Sequence, residues 1–304
     1  MSTPWIVLGS AVCFRVSGKD SRRYLHNRLS QDIRALVPGQ STLAAALSAQ
    51  GRVEGLFAVF CEAQDRFILV SDGGSAQEQE SALKRFVVAD RVTCEDLTED
   101  LCMVHLATSE AKARQVFESA ALNTIGIAAR ARVADVGVDL LVGEGDREPV
   151  MRVLKDVCGD ELSIEQYARL RWQVGCPVYP DEINERGMLL EYGIRQAVSF
   201  TKGCYVGQEV VERSDAIGRV PRRLERIVLE GGQSVGKDAS VSAPTGEVLG
   251  AVVGEVNSPA EEKTFLFALL RAGKYKGGDQ VVCAGRRGVI AEILTSGESG
   301  GSDG

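Results

Sequence analysis

Eight consecutive residues concentrate the chemistry that this sequence can offer: Lys202-Gly203-Cys204-Tyr205-Val206-Gly207-Gln208-Glu209, within the run FTKGCYVGQEVVER from Phe200 to Arg213. A cysteine follows a lysine by two positions, with one glycine between them and a second glycine three residues on. Glycine adopts backbone conformations closed to other residues, so Gly203 and Gly207 permit a tight bend or the close approach of a ligand. Val206–Arg213 is compatible with a helix. Cys204 would then sit just ahead of a helix N-terminus and beside Lys202, and both features stabilise a thiolate and lower a cysteine pKa. The same string fits a plain tight turn around a buried, inert cysteine. The residues alone leave both readings open.

The other reactive residue types exclude more than they suggest. The 304 residues include eight cysteines, Cys13, Cys61, Cys94, Cys102, Cys158, Cys176, Cys204 and Cys283, with no C-x-x-C pair. In a reducing compartment most of them read as small buried hydrophobes. Two histidines, His26 and His105, are too few for the usual zinc sites and make a Ser-His-Asp triad an unattractive reading. The spacing of a permanent four-cysteine iron–sulfur site is missing, whereas a transient or intermolecular cluster stays compatible. Gly231-Gly-Gln-Ser-Val-Gly236-Lys237-Asp238 nearly matches a phosphate-binding loop. Asp stands where Ser or Thr would bind magnesium, and a strand pattern follows where a helix is needed, so a hairpin turn is expected. The basic run RVPRRLER, Arg219–Arg226, reads as a solvated linker in preference to a site for phosphate or polyglutamate. A formal net charge of −7 argues against nucleic acid as the primary ligand. No apolar run reaches the roughly 18 residues that span a bilayer, and no signal peptide is visible, so a cytoplasmic protein without membrane contact is expected, acting as a monomer.

Around these residues the pattern alternates between strands and helices. Residues 5–16 read as a strand. Asp20 is placed to cap a helix carrying Tyr24, Leu25 and Leu29, and successive strands run from Ser41 to Gly74 with turns at Gln50-Gly51 and Gln64-Asp65. Ser75 and Glu78 form a capping box before a helix, strands lie near 92–94 and 102–107, and a short helix starts near Ser109. A helix over Ser163–Val174 has Ser163 and Gln166 as its capping box, Gly175 as its stop, and Ile164, Tyr167, Ala168 and Trp172 as its buried stripe. From Leu224 to Leu294, short apolar strands recur between glycine-rich turns, the texture of a small β-barrel. The predicted class is α+β with mostly antiparallel sheets. Its divisions are 1–220, a C-terminal barrel over 221–297, and a polar, glycine-rich tail over 298–304 that is expected to be disordered.

The K-G-C-Y-x-G-Q-E string matches every position of the signature of the YgfZ-type folate-binding proteins, paralogues of the glycine-cleavage T-protein (aminomethyltransferase). The resemblance extends along most of the chain. VSGKDSRRYLHNRLSQDI (16–33) resembles the family's N-terminal segment, RLRWQVGCPVYPDEI (169–183) its R-x-x-x-G-x-P segment, and LLEYGIRQAVSFTKGCY its P-x-E-x-G stretch with a leucine in place of the proline. The resemblance implies a three-lobed ring of aminomethyltransferase type, two intertwined α+β lobes plus a C-terminal β-barrel, with tetrahydrofolate or a one-carbon derivative as cofactor. Glu191 matches the glutamate that holds the pterin ring in T-proteins, a task suited to a carboxylate. Lys202, Tyr205 and Arg213 join it as expected cofactor-binding residues. The stretch Gly51-Arg52-Val53-Glu54-Gly55-Leu56 departs from the T-protein's Asp-Asp pair, which weakens the case for aminomethyl transfer.

The function implied by the resemblance is that of a folate-dependent accessory factor for assembly or repair of iron–sulfur clusters in other enzymes. Cys204 is then the working thiol, the motif residues Lys202, Gly203, Cys204, Tyr205, Gly207, Gln208 and Glu209 order its loop, and client or assembly proteins are its partners. A one-carbon transferase and a non-catalytic, folate-gated binding module are the alternatives, so whether the chain is an enzyme stays open at this point.

Overall fold

The computed structural model describes residues 3–291 apart from 88 and 121. Two compact units divide the chain, Met1–Val220 and Pro221–Gly304. In the first unit, the apolar run expected as one strand over 5–16 is two. β1 (Trp5–Leu8) and β2 (Val12–Ser17) are separated by a turn at Gly9-Ser10 and belong to different sheets. Gly9 carries no side chain to pack, and the Ser10 hydroxyl donates to the Asp72 carbonyl at 2.8 Å, so the chain changes sheet there.

One sheet has the order β3-β4-β5-β2-β6, from β3 (Ser41–Leu47), β4 (Val53–Ala63), β5 (Arg66–Ser71), β2 and β6 (Thr93–Asp96). The other has the order β1-β7-β9-β8, with β7 (Leu101–Leu106), β8 (Gly126–Ala129) and β9 (Val138–Gly143). Every pairing is antiparallel. Strand alternation explains the layers. On β5, Phe67 and Leu69 face the helix-covered core with Phe14, Phe57 and Leu25, while Ile68 and Val70 face the second sheet through Phe60, Met103 and Leu141. Both faces are therefore apolar, and β5 reads as a continuous hydrophobic run.

α1 (Ser21–Arg28) and α2 (Ala76–Lys84) contribute to the first core, and α3 (Glu110–Ser119) and α4 (Arg147–Cys158) to the outer face of the second sheet. Val150, Leu154 and Cys158 make the buried row of α4 at i, i+4, i+8 spacing. Asp20 precedes α1, but its side chain accepts from the Arg91 amide and from Arg23 instead of capping the helix. α5 (Ile164–Val174) has the expected capping box, and Gly175 stops it in the left-handed conformation, φ +73°. Trp172 is buried and Tyr167 and Ala168 are half-buried, but Ile164 is 81 % exposed. As the first helical residue it turns to solvent, which corrects the expected stripe.

The second unit is a closed barrel, β10-β13-β12-β11-β14-β15. Its strands are β10 (Arg222–Glu230), β11 (Ser240–Ser242), β12 (Val248–Ser258), β13 (Lys263–Arg271), β14 (Gln280–Cys283) and β15 (Arg286–Ile290), which pairs back onto β10. The basic run expected as a linker supplies the first barrel strand: Ile227 and Leu229 point inward while Arg223 stays exposed. The phosphate-loop lookalike is a loop leading to β11. Its Val235 and Gly236 amides donate to Glu255 Oε2 at 2.9 and 3.3 Å, so the anion held there is the protein's own carboxylate. Residues 292–294 of the last expected strand and the 298–304 tail lie outside the described residues. No helix among the described residues is long and apolar enough to cross a membrane.

Candidate functional site

The signature loop is fixed at both ends. Lys202 is 8 % exposed, and its ammonium donates to three backbone carbonyls at the end of α1: His26, Leu29 at 2.7 Å and Gln31 at 3.0 Å. The last carbonyls of a helix lack intrahelical partners, and a cation there also suits the helix dipole. Tyr205 lies beneath, its ring centroid 4.9 Å from the same nitrogen. Burial lowers the Lys202 pKa to about 8. At the other end, the Val206 amide donates to the Asn27 carbonyl at 3.3 Å, and Gly207 turns with φ +84° into α6 (Gln208–Ile217). A β-carbon on Gly207 would come within 2.6 Å of the Ser48 carbonyl oxygen and 3.0 Å of Leu47 Cβ. Gly207→Ala is therefore expected to lower stability by about 2 kcal/mol or more in denaturant titration, through strain and overlap together. An unchanged midpoint would show that the β3–β4 turn yields freely.

Between these anchors Cys204 is exposed, and it is the one exposed member of the eight cysteines. It lines a cleft of about 480 Å³ with His26, Asn27, Arg34, Gly203, Tyr205 and Val206. Burial first, then Lys202 and Arg34, lower the pKa of His26, so its imidazole is neutral at pH 7. His26 Nδ1 lies 3.1 Å from Asp32 Oδ1. The buried Tyr205 hydroxyl has no hydrogen-bond partner among the described residues, and burial raises its pKa to about 12. Gln208 folds back on the loop, its Oε1 accepting from the Tyr205 amide at 3.3 Å while its Nε2 donates to Glu212 at 2.6 Å. Glu209 and Arg213 pair with each other on the solvent face of α6.

A second, larger cavity of about 1080 Å³ lies elsewhere in the same unit. Leu43, Leu56 and Ala58 from β3 and β4 give it an apolar wall. Tyr192–Ile194 and Gln196, the Val174–Pro177 segment with Cys176, and Thr108, Ser109 and Arg130 complete it. Beneath Arg130 runs a buried charged chain. Asp72 accepts from both Arg130 terminal nitrogens, at 3.1 and 2.8 Å, and from Arg132. Arg132 also grips Asp139 at 2.8 Å, and Asp139 bonds His105 Nδ1 at 2.9 Å. Burial raises the Cys176 pKa, with Arg130, Arg132 and Arg171 opposing.

The structure gathers Lys202, Gly203, Cys204 and Tyr205 at the loop and leaves Glu191 and Arg213 apart from it. Glu191 is 1 % exposed; its Oε2 accepts from the Met188 amide at 2.9 Å, and the next residue, Tyr192, is the first of that segment to line the large cavity. Lys202 spends its ammonium on α1. Glu54, standing near the position of the T-protein aspartates, is bound by Arg28 at 2.7 Å and by Arg85, and lines neither cavity. Among the described residues none lines both the cleft and the cavity. Between them, Ser30 and Gln31 bond the carbonyls of Ala197 and Gln196. Arg130, Arg132, Asp139 and Cys176 were not singled out from sequence as site residues. The available signal was an aspartate inside an apolar strand, Val138-Asp139-Leu140, and a nearby Arg-Ala-Arg.

The fold is of aminomethyltransferase type. Residues 10–127 match the family of the GCVT N-terminal domain. The structure superposes on the glycine cleavage system aminomethyltransferase T from Bartonella henselae with a TM-score of 0.78, over 96 % of this chain and 86 % of that one, at 16 % identity. Within that class the chain is similar to the YgfZ-type, GcvT-like proteins. It is 29 % identical over 223 residues to the tRNA-modifying protein YgfZ of Klebsiella pneumoniae, covering 69 % of this chain and 66 % of that one. It is 26 % identical over 232 residues to the mitochondrial iron-sulfur cluster assembly factor IBA57 homolog of Mycosarcoma maydis, covering 69 % and 53 %. The matched part thus spans between about half and two thirds of these curated relatives.

Proposed function

We propose that this protein binds a reduced folate and supports the assembly or repair of iron–sulfur clusters in other enzymes, with Cys204 as its functional thiol. The observation that carries this reading is the exposure of Cys204 on a loop held from both sides by buried contacts. A cysteine kept only for packing would be buried, as most of the other seven are. The names of the YgfZ and IBA57 relatives supply the biological direction.

The residues present fit a folate. Ligand pockets for molecules of that size run to roughly 300–1,000 Å³ and combine apolar walls with a few fixed polar groups. The large cavity has both, through Leu43, Leu56 and Ala58 on one hand and Thr108, Arg130 and Gln196 on the other. When bound, a reduced folate would supply one-carbon or pterin redox chemistry; Tyr192, Gln196 and Arg130 are the side chains placed to hold it. Among the described residues no three His, Cys, Asp or Glu side chains converge to hold a metal ion. A cluster would therefore be cargo, with Cys204 giving one ligand and a partner protein the rest.

Cys204→Ala decides between this reading and a folate-gated binding module. The expected result is unchanged affinity for tetrahydrofolate together with loss of iron–sulfur enzyme activity in cells relying on the variant. Full complementation would sink the thiol's role and favour the binding module. A one-carbon transferase has less support, because Glu54 is tied up by two arginines away from the cavity.

A further inference from the structure

We propose that the Arg130 end of the large cavity takes the glutamyl carboxylate of the folate, so that the site selects anionic folates over uncharged analogues. This rests on the folate reading above and adds the orientation of the ligand.

Strand register defines that end. Leu106, Val138 and Ala129 stand in one row across β7, β9 and β8. The residues just beyond them, Thr108, Gly137 and Arg130, therefore share one edge of the sheet, and all three line the cavity. The guanidinium of Arg130 is oriented before any ligand arrives. Asp72 holds both terminal nitrogens, Arg132 holds Asp72, and Asp139 holds Arg132. Among the described residues Arg130 Nε–H has no protein acceptor, which leaves a fixed donor for the cavity. With both terminal nitrogens already on Asp72, Arg130 can offer a further carboxylate one N–H, a single charge-assisted hydrogen bond.

The same edge carries the start of α3. Ser109 and Glu110 line the cavity there, and a helix N-terminus favours an anion. Arg114 also lines it, paired with Glu110. Opposing charges limit the effect, since Asp72 balances Arg130 and Asp135 stands on the same rim. The expected preference is therefore about tenfold, the size of one charge-assisted hydrogen bond, and not thousandfold. The wall made by Leu43, Leu56 and Ala58 suits the uncharged ring portion of the ligand.

Equilibrium binding of 5-formyltetrahydrofolate and of its glutamyl dimethyl ester tests this. Wild type should bind the acid about tenfold more tightly than the ester. Arg130→Gln should weaken the acid to the level of the ester and leave the ester unchanged, and Arg130→Lys should keep part of the preference. Asp72 retains Arg132 in both variants, and thermal melts check their folding. Cys176 and Cys204 report which site is filled: bound acid should shield Cys176, and not Cys204, from methyl methanethiosulfonate. If wild type binds neither compound, the folate reading and this one both fall. If both bind equally, or the preference survives Arg130→Gln, only the tail assignment falls. Protection of Cys204 instead of Cys176 would place the ligand in the other cleft and overturn the proposal. Should Arg130→Gln not fold, the acid–ester comparison and the shielding pattern in wild type still decide.

Discussion

Arg132→Met is expected to destabilise the first unit by about 3–5 kcal/mol, the loss seen when one partner of a buried ion pair is removed. Arg132 is fully buried, and its guanidinium bonds Asp139 through Nε and Nη2, Asp72 through Nη2, and the Tyr167 hydroxyl at 3.3 Å. Asp72 would keep Arg130, but Asp139 would keep little besides a neutral His105 and a distant Arg130. In the native protein Arg132 holds the Asp139 carboxyl well below the usual carboxylate range despite complete burial. A carboxyl with a depressed folded pKa stabilises above its unfolded pKa, and that contribution is lost as pH falls through the folded value. In the variant, desolvation is left with little opposing it, and the Asp139 pKa rises above its unfolded value. Protonation then favours the fold, so the deficit relative to wild type should be largest near pH 7 and shrink toward pH 4.5. Urea titrations at the two pH values measure this. A deficit under about 1 kcal/mol, or one flat with pH, would show that the network is not the support of the cavity wall described above. Arg132→Met with Asp139→Asn should recover part of the loss, because it removes the stranded charge.

The elements legible in sequence were those whose local chemistry sets them. The Ser163–Gln166 box and Gly175 bound α5 as expected, because capping is decided within a few residues. The antiparallel sheets and the barrel followed from strand spacing and turn residues. The break between β1 and β2 was hidden, since its cause, the Ser10 hydroxyl on the Asp72 carbonyl, is 62 residues away in sequence. Distance also hid the details of the site. The string around Cys204 showed where a thiol would stand, and the structure exposes it. It could not show that the neighbouring Lys202 turns away to α1, because His26, Leu29 and Gln31 become its partners only when the chain folds. The lining of the large cavity comes from six stretches of chain, and no short motif announces such a set.

Lys202→Met is expected to cost about 3 kcal/mol, since three carbonyls at the end of α1 lose their donor inside the fold and a stranded buried acceptor costs roughly 1–3 kcal/mol. The pH dependence is a sharper test than the size. Burial is the largest influence on this amine, with Arg34 acting in the same direction and Asp32 opposing, and its pKa falls from 10.5 to about 8. His26 stands on the same turn and is neutral near pH 7. Between pH 8 and 10.5 the unfolded chain keeps a proton on Lys202 that the native state has released, so the unfolded state binds more protons and stability rises with pH. The Lys202 contribution is thus fully present above the unfolded pKa and is lost as pH falls through about 8. The gap between wild type and Lys202→Met should accordingly widen from pH 7 to pH 9.5. The same substitution frees the near end of the Cys204 loop, so Cys204 should react faster with a bulky maleimide while Cys176 reacts as before. A gap that narrows with rising pH would mean that the charged ammonium is favoured by its three carbonyls more than burial disfavours it. An unchanged Cys204 rate would mean that Val206 and Gly207 hold the loop without the lysine.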